Sequence, residues 1–266
     1  MDNDDVLIGR LLSRREMLAL MGGAGLALVV GCSDDDPENG TPTSAATQGA
    51  TQTPAAGATA AQTTTAVPSC VVVPELTEGP FFLEGMQERS DIRSDPGSGT
   101  VDGAAQLDLT VNVSRIGGDG SCEPLAGAIV DVWQCDALGV YSGVSDIAGQ
   151  FDTSGETFLR GYQLTSADGS ARFTTIYPGW YQGRATHIHF KIRTEDAYEF
   201  TSQWFFDDAF SDTVHAQGVY AERGADGRLP NEQDGIYGET NGQLTLAVQP
   251  AGNGYAATFD IGLQIA

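Results

Sequence analysis

Leu107-Asp108-Leu109-Thr110-Val111-Asn112-Val113 alternates apolar and polar side chains at every step. Successive residues of a β-strand point to opposite faces, so a period of two gathers the four apolar groups on one face to be buried. The alternation returns at Leu244, Leu246 and Val248, and again at Tyr255, Ala257, Phe259, Ile261, Leu263 and Ile265. Between these runs lie Asp226-Gly227, Asn241-Gly242 and many further glycines, which are turn signals. No segment keeps a long 3.6-residue period, and only residues 212–222 are expected to form a short helix. The reading is all-β: a β-sandwich with long loops, one domain over residues 70–266.

The first 69 residues read differently. Ser13-Arg14-Arg15-Glu16-Met17-Leu18 has a twin-arginine pattern, followed by an apolar run over 18–30 that is short for a membrane span and suits a signal segment. The run ends in Val29-Val30-Gly31-Cys32, which resembles a lipobox, so residues 1–32 are expected to be a signal with Cys32 the lipidated residue. Residues 33–69 are rich in Thr, Ala, Gly, Pro, Gln and Asp. Such a composition buries too little apolar surface to offset its ordering entropy, so a disordered tether is expected. Export with a lipid anchor, or an extracellular location, follows from this reading.

The formal net charge of −23 excludes nucleic acid as a partner, because phosphate binding needs a basic face. Lys191 is the only lysine. Of four cysteines, Cys32 is assigned to lipid, and outside the cytoplasm the others can oxidise. Cys70 and Cys122 sit in loop-like surroundings and are the expected disulfide, with Cys135 a buried thiol inside a strand; spacing alone leaves the other two pairings open. Oligomeric state is not legible.

The chemistry concentrates in residues 175–190, T-I-Y-P-G-W-Y-Q-G-R-A-T-H-I-H-F. As a strand, its end places His187 and His189 on one face with Ile188 on the other, which is half of a metal site. Tyr181 follows the Pro178-Gly179 turn signal, and Arg184 stands three residues before His187. His215, outside every motif, is expected at the surface.

The motif P-G-W-Y-x-G-R-x-x-H-I-H resembles the signature of the intradiol ring-cleavage dioxygenases, non-haem ferric enzymes that open catechols between their hydroxyls. Residues 130–142, V-D-V-W-Q-C-D-A-L-G-V-Y-S, resemble the family segment carrying a second tyrosine ligand, and residues 77–82, T-E-G-P-F-F, resemble a wall of its active site. The similarity covers residues 70–210 in matching order.

The resemblance implies a β-sandwich of intradiol dioxygenase type, with Fe(3+) held by Tyr141, Tyr181, His187 and His189. The donor set supports this: two phenolates and two imidazoles are hard and anionic, whereas zinc prefers thiolate, imidazole or carboxylate. It further implies that Tyr181 leaves the metal and accepts a catechol proton. Arg184 would stabilise charge on the ring, Gln203 would work with Arg184, and Pro80, Phe81 and Trp133 would line the substrate pocket. Substrates would be O2 and a catechol-type aromatic, the product a cis,cis-muconate type. Loops 78–82 and 138–144 would select among catechol, protocatechuate, hydroxyquinol and lignin-derived rings. The chain departs from the catechol branch in having a tether where that branch carries a helical dimerisation region. The alternative is a non-catalytic exported β-sandwich binding module that retains the fold.

Overall fold

The computed structural model describes residues 70–95, 99–145 and 152–265. The signal, the lipobox Cys32 and the tether lie outside the described residues. In chain order the strands are β1 (Ser94–Asp95), β2 (Gly99–Thr100), β3 (Gln106–Ile116), β4 (Cys122–Pro124), β5 (Ile129–Trp133), β6 (Arg160–Leu164), β7 (Ser170–Ile176), β8 (His187–Arg193), β9 (Glu199–Phe205), β10 (Gln249–Ala251) and β11 (Gly254–Leu263). Among the described residues two α-helices, α1 (Asp208–His215) and α2 (Gly235–Gly238), join them.

One sheet is built around β3. The alternation that marks it in the sequence is realised, with Leu107, Leu109, Val111 and Val113 each at most 1% exposed. On one side β3 pairs in parallel with β11, Val111 opposite Phe259; on the other it pairs antiparallel with β7 and, at its end, β4. The second sheet is antiparallel in the order β6-β5-β8-β9.

The second sheet is covered on both faces, so its strands lose the in–out alternation of exposure. Six of the seven residues of β8 are buried. Its inner face gives Ile188, Phe190 and Ile192 to the sandwich core. There Phe190 stacks on Trp204, ring centroids 4.0 Å apart, and meets Phe259 of the first sheet at 5.9 Å. Removing such a ring by Phe190→Ala costs about 3–5 kcal/mol of transfer and cavity energy.

Register builds the outer face. Arg160 of β6 pairs with Trp133, Trp133 with His189, and His189 with Gln203. Directly opposed residues share a face, so these four form one row across four strands. The next row holds Tyr162, Asp131, Lys191 and Thr201. Residues 77–84 pass over this face as a strap.

Several expectations need correction. Leu244 and Leu246 are buried, but residues 244–248 form no strand. One bridge, Thr245 to Phe205, joins them to β9, because the chain leaves the Thr240–Gln243 turn and crosses the end of the sheet. The helix starts four residues earlier than expected, since the Asp207 carboxylate caps it by accepting from Phe210 N at 2.8 Å. A separate 3-10 turn occupies Gly218–Glu222. His215 is not at the surface but 1% exposed. It lies on the inward face of α1 with Ser211 and Val214, donates from Nε2 to Pro178 O at 3.1 Å, and packs against Tyr177 and Tyr220. The sulfurs of Cys70 and Cys122 stand at bonding distance with Cα atoms 5.9 Å apart, and Cys135 is buried away from both.

Candidate metal centre

The strand period sets His187 and His189 side by side on β8. Their Nε2 atoms face each other at 3.1 Å. His187 Nδ1 donates to Ala185 O at 2.7 Å, which fixes the tautomer and leaves the Nε2 lone pair directed into the centre. His189 is held from behind by the Trp133 ring, nearly parallel to it at 4.9 Å, and Trp133 is covered in turn by Phe82.

Two loops bring the tyrosines. Tyr141 ends the loop after β5, and Tyr181 stands before β8. Ring centroids lie 5.7 Å apart between Tyr141 and Tyr181, 6.4 Å between Tyr141 and His189, and 5.5 Å between Tyr181 and His187. The four expected ligands are therefore one cluster of rings. The loops approach backbone to backbone: a Cβ on Gly179 would stand 2.5 Å from the carbonyl oxygens of Asp136 and Ala137, and one on Gly139 would collide with the Trp180 carbonyl. Gly139 also has φ +87, a region other residues rarely enter. This is the physical need behind P-G-W and L-G-V.

Electrostatics follow burial. Tyr141 is fully buried, which raises its phenol well above the usual value, and its hydroxyl has no hydrogen-bond partner. Tyr181 is raised by burial against the opposing charge of Arg184. Burial, reinforced by Arg184, lowers His187 to about 3, and burial with the neighbouring His187 drives His189 well below its ordinary value. The histidines are thus neutral donors, and an orphaned phenol points at the place they share.

Arg184 spans the rim of this cluster. Its Nε donates to Asp234 Oδ2 at 2.9 Å, its Nη2 to Gln203 Oε1 at 2.6 Å, and its Nη1 reaches the Tyr181 hydroxyl at 3.4 Å. Gln203 Nε2 donates to Thr77 O at 2.7 Å, which joins the arginine to the strap. Asp234 also accepts from Ala185 N at 2.8 Å and caps α2 through Ile236 N. Burial would raise its carboxyl, but the Ala185 N–H and Arg184 outweigh this and hold it below the ordinary range.

In the strap, Phe81 stacks on Tyr141 at 4.4 Å, Phe82 packs on Trp133, and Pro80 is exposed at the turn. Lys191 sits 4.1 Å from the Phe82 ring centroid and pairs with Glu78. Asp234, Arg160 and Lys191 are members of this site that the motifs do not mark. Asp234 carries one local signal, its place before Gly235 at a helix start, and nothing in the sequence shows that it meets Arg184.

A family model described as dioxygenase matches residues 78–221, somewhat more than half the chain. The chain belongs to the intradiol ring-cleavage dioxygenase family. The catechol 1,2-dioxygenase 1 of Acinetobacter lwoffii is 27% identical over 154 residues, 49% of this chain and 45% of that protein. The chain spans about half the length of the curated relatives it matches. Among solved structures, an intradiol ring-cleavage dioxygenase from Tetranychus urticae superposes with TM-score 0.62 at 29% identity, covering 73% of this chain and 95% of that one. The dioxygenase domain of a carbohydrate-binding fusion protein from Streptomyces sp. SirexAA-E gives 0.53 at 28% identity, covering 74% and 100%.

The family uses non-haem iron, and the donor set can be tested against it. Among the described residues no group of three or more His, Cys, Asp or Glu is suited to a metal, so the histidine pair needs the tyrosines to complete a site. The orphaned Tyr141 hydroxyl and the facing Nε2 atoms fit a trivalent cation that replaces phenol protons.

Proposed function

We propose that the chain is a non-haem Fe(III) intradiol dioxygenase that opens a catechol-type ring between its two hydroxyl-bearing carbons. One carbon–carbon bond breaks and dioxygen takes up four electrons. One of its atoms ends in each carboxyl group of a cis,cis-muconate-type product. The observation that carries this is the convergence of Tyr141, Tyr181, His187 and His189 beside an arginine held by Gln203 and Asp234. Ferric iron held by those four side chains would supply Lewis acidity toward a catechol-type substrate.

The residues divide the remaining work. Tyr141, buried and locked under Phe81, is the fixed anionic ligand. Tyr181, less buried and within reach of Arg184, is the ligand with room to leave and to take a catechol proton. Arg184 presents a permanent charge to the ring as electron density rises on it, and preorganised donors aimed at developing charge are strong contributors to catalysis. Phe81 covers the Tyr141 ring, and Trp133 under Phe82 keeps water from the back of His189. The substrate class is supported by relatives named catechol and chlorocatechol 1,2-dioxygenase.

The sequence of residues 1–69 supports export of this domain on a lipid anchor at Cys32, with residues 33–69 as a tether. Oxygen uptake against substituted catechols tests the activity. Stoichiometric consumption with muconate formation is expected, and a colourless protein that consumes none would favour the binding-module alternative.

A further inference from the structure

Arg160 opens β6 on the row that carries Trp133, His189 and Gln203, and it is 1% exposed. A buried charge without a counter-charge is costly, so buried arginines ordinarily face a carboxylate. Arg184 has Asp234, Arg193 has Asp131, and Arg228 has Asp208 and Asp212. Arg160 forms no ion pair with any described residue. Its Nε donates to Ser142 O at 3.1 Å and Ser142 Oγ at 3.0 Å, its Nη2 to Ser142 O at 2.7 Å, and its Nη1 to Phe81 O at 2.6 Å. Its guanidinium carbon stands 5.7 Å from the centroid of the Tyr141 ring.

The backbone is strained to place it there. Leu159, fully buried, has φ +56, a left-handed conformation that costs a residue with a side chain on the order of 1–3 kcal/mol. The conformation is fixed from both sides, since Leu159 N donates to Ile92 O at 2.6 Å and Leu159 O accepts from Gln134 N at 3.2 Å. Behind the strand, Gly161 leaves no room for a Cβ, which would stand 2.8 Å from Ile92 Cγ2. Strain at Leu159 and an unpaired buried charge at the adjacent Arg160, next to a proposed ligand, point to a role in the site.

We propose that Arg160 is a positioning residue that ties the loop carrying Tyr141 to the strap carrying Phe81, and so fixes how the Tyr141 hydroxyl enters the metal centre. This rests on the ferric reading of the centre given above. Ser142 directly follows Tyr141, and the Phe81 ring stacks on the Tyr141 ring at 4.4 Å. One planar fork therefore holds both the backbone behind the ligand and the ring lying against it. Lysine keeps the charge but cannot bond both carbonyls in this geometry. The two arginines of the site have separate roles: Arg184, ion-paired with Asp234, faces Tyr181, while Arg160 faces Tyr141.

The test compares wild type with Arg160→Lys, Arg160→Met and Ser142→Ala. Ser142→Ala is the mild variant, removing the hydroxyl that accepts from Arg160 and donates to Phe158 O while leaving both carbonyls that Arg160 bonds. Near-ultraviolet circular dichroism of the metal-free proteins reads the packing of Tyr141 against Phe81. The visible band of the iron-loaded proteins and the split between kcat and KM read the ligand. Arg160→Lys is expected to bind iron, to lose tyrosine dichroism and to shift the visible band. Its kcat should fall about 10- to 100-fold, as misplacement at a reacting centre does, with KM changed far less. Ser142→Ala should move the same readouts the same way by less. A folded Arg160→Lys with wild-type dichroism, band and kcat overturns the proposal even if its melting temperature falls. Should both Arg160 variants fail to fold, wild-type readouts in Ser142→Ala overturn it. A wild type that takes up no iron defeats the ferric reading itself, and the metal-free dichroism still decides the tie between Tyr141 and Phe81.

Discussion

The Nε2 atoms of His187 and His189 face each other at 3.1 Å, and the ring of Tyr181 closes on His187 with centroids 5.5 Å apart. Without a cation, one imidazole N–H can bridge this gap by donating to the other ring's lone pair. With both lone pairs turned toward the orphaned Tyr141 hydroxyl and Tyr181, the same spacing would hold a shared cation, and the predictions below follow from that arrangement.

Arg184 is expected to serve turnover and not iron retention. Arg184→Ala should bind iron to the wild-type stoichiometry and lower kcat by about 10²–10³, the usual effect of removing one preorganised donor. Asp234→Asn should lower kcat less, because Gln203 still orients the guanidinium. It should also destabilise the fold by about 1–3 kcal/mol through the loss of the charged acceptor for Ala185 N and the α2 cap. Iron analysis, steady-state kinetics and thermal denaturation on both variants check this. An Arg184→Ala protein that loses its iron would make the residue structural.

His215 gives a pH dependence with a definite sign. Burial, against the opposing Pro178 contact, lowers its folded-state pKa below the ordinary value of about 6.5. Between the two values the unfolded chain holds the extra proton, so stability rises with pH there. The contribution is complete above about pH 6.5 and is lost as the pH falls below it. Iron-loaded protein should melt at a lower temperature at pH 5.5 than at pH 7.5, and His215→Gln, which can still donate to Pro178 O, should show a smaller difference. An equal difference in the variant would remove His215 as the cause.

Cys70 and Cys122 should form a disulfide under oxidising conditions. Unreduced peptide mapping should recover that link, and its loss should cost about 2–4 kcal/mol by loop closure. Cys135, whose thiol pKa burial raises, should resist alkylation until the protein unfolds. Recovery of Cys135 in a bridge would contradict the assignment.

The sequence made legible what local periodicity encodes. Leu107 to Val113 announced β3 because one face of the strand is buried and the other is not. His187 and His189 declared a shared face for the same reason, and the motif around them carried the family. Contacts made by long-range folding stayed hidden. Asp234 reaches Arg184 from a distant loop, and Arg160 is drawn into the site by register with Trp133, which no local pattern predicts. His215 was misplaced because helix α1 starts at Asp208 and turns its last residue inward. The Leu244–Val248 alternation marks burial at a sheet end, where one bridge replaces a ladder.

Tyr141, Tyr181, His187 and His189 are expected to bind one ferric ion together. Metal analysis with visible spectroscopy on the purified protein, wild type beside His187→Ala and His189→Ala, tests it most directly. About one iron per chain and a burgundy tyrosinate-to-iron band are expected in the wild type, with both lost in each variant. A wild type that is colourless after ferric loading, or a histidine variant that keeps full iron and colour, would contradict it.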